Sequence, residues 1–233
     1  MNFFLLIIYL ILLNNSLYAE TSAKKPDELF HILNDNNGWS TIAIKEEITL
    51  SKKLINDMNL VALMAKQKTT IPTEIIQDII MDIENYGQYF TSAGAFIFKE
   101  IKSEGDWAEG YHLLPVDIPL IKDREYFFRV HARGYNIEDK TSIVHWYLID
   151  EEVRERMITQ FASKDAIYLD YGAGLWMAEP IDEKEYILSY RLYLDPGGSI
   201  PDFAIELLNK MNIVNIFKDV VSEATRRNIT VVP

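Results

Sequence analysis

Residues 195–202 read DPGGSIPD, and this stretch decides how the chain ends. Its prolines and glycines predict a tight turn. Ser199, followed three residues later by Asp202, is typical of a helix start. Apolar residues then recur at helical spacing to about Arg226, which predicts one long helix whose wide apolar face must be largely covered. The main stripe consists of Phe203, Leu207, Met211, Val214, Phe217, Val221 and Ala224.

Upstream of this turn, the pattern changes to short β-type segments separated by turn residues. Consecutive strands without helices between them favour an antiparallel sheet. The predicted turns are 105–106, 134–136, 172–174 and 182–183. The predicted strands are Trp39–Leu50, Leu60–Thr70, Ala95–Lys102, Trp107–Leu114, Arg124–Arg133, Ser142–Ile149, Ala166–Tyr171, Leu175–Glu179 and Tyr186–Leu194.

Two further helices are predicted nearer the N-terminus. A short helix over 27–37 begins after Pro26 and stops at Gly38. A second helix begins at Pro72, and its isoleucines recur at helical spacing as far as Tyr86. We see no linker, repeat or shift in composition after residue 24, so residues 24–233 are predicted to form one domain.

Composition excludes several classes of function. The formal net charge of -12 argues against nucleic-acid binding and against strong electrostatic attachment to anionic membranes. Any membrane contact is expected to be transient. The chain has no cysteine, which excludes disulfides and thiolate chemistry. Its four histidines lack metal-ligand spacing, and we expect no metal or cofactor.

The first residues have the pattern of an export signal. Residues 3–13 are an unbroken apolar run, and Ala19 offers a small residue at a cleavage point. The run is shorter than the roughly 20 residues of a spanning helix, but no Lys or Arg precedes it. We expect residues 1–19 to be a signal peptide and the protein to be periplasmic or secreted; an uncleaved membrane tether is the alternative.

Four short motifs follow one another along the chain and match sequence patterns of one known family. Residues 82–89 resemble the D-x-x-x-Y-x-x-W pattern, with Tyr89 in place of Trp. Residues 122–129 resemble the S-D-R-D-F-V strand, with Lys122 in place of Ser. Residues 174–180 resemble G-x-W-x-x-x-P, and residues 195–201 resemble D-x-x-G-x-I-P. In these motifs and in their order the chain resembles the START (StAR-related lipid transfer) family over about 27–226.

This resemblance implies an α+β helix-grip fold, in which a curved antiparallel sheet wraps around a long C-terminal helix. It also implies an apolar tunnel that holds one lipid, such as a phospholipid or a sterol. The glycines at 197–198 have a structural role in the turn, and a hinge for the last helix is the functional alternative. A domain that closes its own core needs no partner subunit, so we expect a monomer.

Candidate ligand-binding residues follow from alternation along the strands and from the apolar helix stripe. On 124–133 we predict that Tyr126, Phe128 and Val130 point inward and that the charged residues reach water. The places of an acid–arginine pair, which some family members carry in the cavity, fall near Tyr111 and Val130. For each candidate, core packing is the alternative. The full set is Tyr86, Phe90, Tyr111, Tyr126, Phe128, Val130, His145, Tyr147, Tyr168, Trp176, Tyr190, Phe203, Leu207 and Met211.

The sequence leaves three functions open. The favoured one is a carrier without enzymatic activity that binds a lipid and moves it between membranes. The second is an enzyme on a related cyclase-like scaffold, with His145 or a cavity tyrosine as general acid. The third is a module whose interaction surface changes with lipid occupancy. No G-x-S-x-G motif or phosphate-binding loop is present to favour the enzyme.

Overall fold

The computed structural model describes residues 26–55, 61–92, 97–116, 121–132, 142–150, 165–197 and 202–231, with the side chains of the last helix described over 213–229. Its helices are α1 (Pro26–Asn34), α2 (Thr73–Met81), α3 (Tyr86–Tyr89) and α4 (Asp202–Val231). Its strands are β1 (Trp39–Lys45), β2 (Ile48–Leu54), β3 (Val61–Thr69), β4 (Ile97–Glu104), β5 (Trp107–Leu114), β6 (Arg124–His131), β7 (Ser142–Leu148), β8 (Ile167–Tyr168), β9 (Gly172–Pro180) and β10 (Tyr186–Leu194).

These strands form one curved sheet, and the predicted α+β helix-grip fold is confirmed. The spatial order is β1-β2-β3-β10-β9-β7-β6-β5-β4, and each neighbouring pair is antiparallel. The short strand β8 pairs in parallel with β6 outside this path. Strands far apart in sequence therefore meet at the centre of the sheet, where β3 lies beside β10.

Both faces of the sheet are covered. The larger apolar core lies between one face, here called the inner face, and the helices α2 and α4. A second core lies on the outer face under α1, where Leu29, Phe30 and Leu33 contact side chains of β9. A strand whose two faces are both buried carries apolar side chains in both positions of its alternation.

Two buried cations hold the C-terminal end of α1 on the outer face. Arg191, on β10, donates hydrogen bonds to the carbonyl oxygens of Leu33 (3.1 Å) and Asn34 (3.3 Å). Lys53, on β2, donates to the carbonyl oxygen of Ile32 at 2.8 Å. The last carbonyls of a helix have no partner within the helix, and positive side chains there are favourable. This end of α1 is therefore tied to two different strands.

Polar contacts fasten the C-terminal half of α4 at three places. The Asp219 carboxylate accepts a hydrogen bond from the backbone N–H of Ser92 at 2.9 Å. Lys218 forms an ion pair with Glu46 at the turn between β1 and β2. Arg227 donates to the hydroxyl of Tyr89 at 2.7 Å. Asp219 is buried, so its charge-assisted bond contributes more than the exposed Lys218–Glu46 pair.

One predicted strand and one predicted turn are wrong, and local backbone geometry explains the first error. The single strand predicted over 39–50 is a hairpin, in which Glu46 and Glu47 take positive φ values of 52° and 69°. Such turns normally carry Asn or Gly, so the two glutamates gave no turn signal. The turn predicted at 172–174 is instead the start of β9, which pairs with the end of β10. The turn predicted at 134–136 lies outside the described residues.

Within the part of the chain that the structure describes, no helix combines the length and the apolar character needed to cross a membrane. The predicted signal peptide, residues 1–19, lies outside the described residues.

Candidate ligand cavity

An apolar cavity lies between the inner face of the sheet and the helices α2 and α4. The cavity is partly open to solvent, and its free volume is about 70 Å³. Aromatic rings from six strands and from the α3 region surround it. The described lining residues are Ile80, Tyr86, Phe90, Phe98, His112, Tyr126, Phe128, Val130, Trp146, Trp176, Tyr190 and Ile216.

Two glycines allow large rings to lie flat against the sheet. A Cβ atom on Gly110 would come within 2.6 Å of the Phe128 ring, which lies directly across from it on β6. A Cβ atom on Gly174 would overlap the indole of Trp146 on β7. The absence of side chains at these two positions therefore determines where two walls of the cavity lie.

His112 and Tyr126 form a polar pair in the wall. His112 Nδ1 lies 2.5 Å from the Tyr126 hydroxyl, and the Phe98 ring stacks on the imidazole with centroids 4.0 Å apart. Burial lowers the pKa of His112 to about 3 and raises the pKa of Tyr126. Desolvation disfavours the charged form of each group, so both are neutral at pH 7.

Trp146 and Tyr190 form a second polar pair. The indole N–H of Trp146 donates a hydrogen bond to the hydroxyl oxygen of Tyr190 at 3.2 Å. The Tyr190 ring stacks on Trp176 with centroids 4.4 Å apart, and Trp176 in turn stacks on Phe217 of α4. This stack extends from β10 across β9 to the long helix, so it couples the helix to the sheet.

The sequence predicted part of this lining. Of the candidate residues, seven line the cavity: Tyr86, Phe90, Tyr126, Phe128, Val130, Trp176 and Tyr190. The candidates Phe203, Leu207 and Met211 have side chains outside the described residues. Sequence reasoning missed Ile80, Phe98, His112, Trp146 and Ile216, although Ile80 was already placed on the apolar face of its helix.

Four candidates lie on the outer face instead. Tyr111 donates a hydrogen bond to Glu125 at 2.8 Å and packs on Phe127, while Tyr168 packs beside them. The rings of His145 and Tyr147 contact Phe30 of α1. These four candidates, on β5, β7 and β8, therefore pack in the outer cores and do not line the cavity.

The charges on β6 also differ from the prediction. Glu125 is 0% exposed and does not reach water; it accepts the hydrogen bond from Tyr111. Arg129 does lie on the outer face, as predicted, where it forms an ion pair with the buried carboxylate of Glu109. Buried charges persist in proteins when they are paired or hydrogen-bonded, as both of these carboxylates are.

Two of the quoted motifs meet in space. Arg124, from the motif at 122–129, is 2% exposed and donates hydrogen bonds to the carbonyl oxygens of Pro196 (3.0 Å) and Gly197 (3.2 Å). Asp195 closes the same turn, because its carboxylate accepts the N–H of Gly197 at 3.0 Å. Gly197 has a φ of +59°, which favours glycine. The junction before α4 is therefore fixed to β6.

The motif at 82–89 has Tyr89 where the family pattern has Trp, and the Tyr89 hydroxyl has a structural role. The Tyr89 hydroxyl lies 2.5 Å from a carboxylate oxygen of Asp82, and it accepts a hydrogen bond from Arg227 of α4. An indole has no oxygen for this second contact. The substituted residue therefore links the α2–α3 corner to the end of the long helix.

The described residues contain no group of three or more His, Asp or Glu side chains arranged to hold a metal ion.

Solved structures share this fold. A STAR-related lipid transfer protein from Xanthomonas axonopodis matches with a TM-score of 0.64 at 16% identity, over 81% of this chain and 99% of that one. Human StAR-related lipid transfer protein 5 matches with a TM-score of 0.64 at 10% identity, over 86% and 92%. Human STARD10 matches with a TM-score of 0.60 at 14% identity, over 88% and 82%.

At these identities the likeness establishes the fold alone. The chain has the START helix-grip fold, with an aromatic cavity between its sheet and its long helix. No family model matches the sequence, and no curated protein matches it either.

Proposed function

We propose that this protein binds a hydrophobic lipid in the cavity beneath α4 and carries it between membranes. The observation that carries this proposal is the cavity itself, whose described lining is aromatic and aliphatic with a few neutral polar atoms. Three structures of the same fold are named for lipid transfer or for the STARD series.

The burial of apolar surface favours the binding of a hydrophobic lipid. Burying a lipid chain contributes about 0.8 kcal/mol per CH₂ group, so about a dozen carbons contribute roughly 10 kcal/mol before ordering costs. The cavity volume of about 70 Å³ is smaller than that of a typical ligand pocket, about 300–1,000 Å³. Binding must therefore displace side chains or helix segments around the cavity, and the proposal includes this widening.

Native mass spectrometry of the purified protein, followed by lipid extraction, tests the proposal. We expect one co-purifying lipid per chain, chemically unaltered, and transfer of that lipid between donor and acceptor vesicles in proportion to protein concentration. A protein that retains no lipid and accelerates no transfer would contradict the carrier function.

One observation favours an enzyme as the second candidate. His145 faces α1 and not the cavity, but His112 and Tyr126 form a hydrogen-bonded pair inside it. A histidine and a tyrosine that share a hydrogen bond inside an apolar cavity are the groups on which general acid–base catalysis would depend. A lipid that is recovered chemically altered after incubation, with the alteration lost in His112→Asn, would support this function over the carrier.

We also propose that the protein is exported, with residues 1–19 removed. The support is the apolar run at 3–13 followed by Ala19. The intact mass of the protein recovered from its native host tests this directly. A mass that still contains residues 1–19 would support the tether instead.

A further inference from the structure

The hydroxyl groups of the cavity differ in whether their protons already make a hydrogen bond within the protein. The hydroxyl of Tyr86 donates to the carbonyl oxygen of Ile80, and the hydroxyl of Tyr126 is paired with His112. The Tyr190 hydroxyl oxygen accepts from Trp146, and this is the one hydrogen bond that Tyr190 makes within the described part of the chain. The phenolic proton of Tyr190 therefore has no acceptor among these residues.

Tyr190 is too deeply placed for this proton to be satisfied by bulk water. The residue is 5% exposed, and its ring is packed against Trp176. Leaving a buried donor without an acceptor costs about 1–3 kcal/mol. A ligand oxygen that accepts this hydrogen bond would remove the cost.

The absence of charged residues from the described cavity lining restricts the chemical group to which the ligand oxygen can belong. None of the described lining residues is Lys, Arg, Asp or Glu. The two arginines of β6 are occupied elsewhere, Arg124 with backbone carbonyls and Arg129 with Glu109 on the outer face. Burying a phosphate or carboxylate without a counter-charge is far more costly than burying a neutral oxygen.

We infer that the bound lipid has an uncharged polar end, a hydroxyl or carbonyl oxygen, which accepts a hydrogen bond from Tyr190. The inference rests on the proposed lipid-binding function and narrows it to one chemical class. Lipids with a buried phosphate are excluded from this class. The ring system or acyl chain attached to the oxygen occupies the aromatic part of the cavity.

Two lipids with the same tails separate the classes. The delipidated full chain is incubated with phosphatidylcholine vesicles that contain either 1,2-dioleoylglycerol or dioleoyl phosphatidic acid, and the retained lipid is measured by native mass spectrometry. We expect dioleoylglycerol to be retained at least tenfold more than phosphatidic acid or phosphatidylcholine. Equal or greater retention of either phospholipid would overturn the inference while leaving the lipid-binding function in place.

Variants test the role of Tyr190. Tyr190→Phe removes the hydroxyl and keeps the ring, and we expect about tenfold weaker retention of dioleoylglycerol. Tyr193→Phe is the matched control, because Tyr193 lies on the same strand but packs on Tyr171 in the outer core. We expect its retention to equal that of the wild type.

A second variant separates ligand contact from structural damage. Trp146→Phe breaks the same internal hydrogen bond and also alters the cavity wall, so it should lower total lipid retention. It leaves the Tyr190 hydroxyl in place and should therefore keep the wild-type preference for dioleoylglycerol over phosphatidic acid, whereas Tyr190→Phe should lose most of that preference. Wild-type retention by Tyr190→Phe, or an equal loss of the preference in both variants, would overturn the assignment of Tyr190. Retention of no lipid by the wild-type protein would contradict the proposed function itself.

Discussion

Arg124 reaches from β6 to the turn before the long helix, where its guanidinium donates a hydrogen bond to the carbonyl oxygen of Gly197 at 3.2 Å. The same group also donates to Pro196 and to Lys122. One side chain thus satisfies three backbone carbonyls at the junction that orients α4. The two residues are 73 positions apart in sequence, so the contact is a property of the fold.

Arg124→Met should destabilise the protein by about 2–5 kcal/mol, because it removes the donors from buried carbonyl oxygens while keeping most of the side-chain volume. Urea unfolding followed by circular dichroism measures the change. Arg226→Met is the control, since Arg226 is 69% exposed in its ion pair with Glu223. That variant should lose less than about 1 kcal/mol. Similar losses in the two variants would contradict a structural role for Arg124.

Stability should decrease as the pH falls from about 6.5 towards 3, and His112 should account for part of this decrease. The pKa of His112 is about 3 in the folded protein, against about 6.5 in an unfolded chain. Between these values the unfolded chain binds a proton that the folded protein does not, so the free energy of unfolding falls by up to about 1.4 kcal/mol per pH unit.

His112→Asn should remove this contribution while other titrating groups remain. The difference in unfolding free energy between wild type and variant should therefore shrink as the pH falls from 6 to 4. Ile44→Asn provides the control, because it replaces a side chain that is 72% exposed and changes no titratable group, so the pH profile should stay that of the wild type. A difference that stays constant across this pH range would contradict the low pKa of the buried His112.

Gly174→Ala should destabilise the protein by about 1–3 kcal/mol, since the added Cβ atom overlaps the Trp146 indole. The tryptophan fluorescence spectrum should shift as the ring is displaced. Gly87→Ala adds the same atom where no neighbour lies within 4 Å, so its stability should change by less than about 1 kcal/mol. Equal effects in both variants would argue against close contact at Gly174.

Val130→Phe should lower lipid occupancy by filling the cavity from the centre of β6. The larger side chain should cost about 1–3 kcal/mol of stability. This is less than the usual free energy of unfolding of a domain, so the variant should still fold. Lipid retained after purification measures the effect. Ile44→Phe makes a similar change at a side chain that is 72% exposed, and it should retain wild-type occupancy. Unchanged occupancy in Val130→Phe would place the lipid elsewhere.

The order of elements and the alternation of β6 could be predicted from the sequence because their patterns are one-sided or strongly periodic. The inward set Tyr126, Phe128 and Val130 was predicted correctly. On β5 and β7, apolar or aromatic residues occupy both positions of the alternation, because α1 and the outer core cover the second face. Tyr111 and His112 therefore could not be told apart by pattern alone.

The internal hydrogen bonds were beyond prediction for a different reason. Tyr190 receives the indole N–H of Trp146, 44 residues away, only because β7, β9 and β10 are adjacent in the sheet. The buried Glu125 likewise depends on Tyr111 across the β5–β6 pair. Such partners follow from strand order and register, and a single sequence states neither.

Side-chain contacts hold the C-terminal half of α4 to the rest of the protein. Asp219, Lys218 and Arg227 anchor that half to three separate parts of the chain. A ligand larger than the cavity could be accommodated by moving this half of α4 only if all three contacts broke together, which is unfavourable. Under the proposed lipid-binding function, we therefore expect the cavity to widen first by rotation of its aromatic side chains.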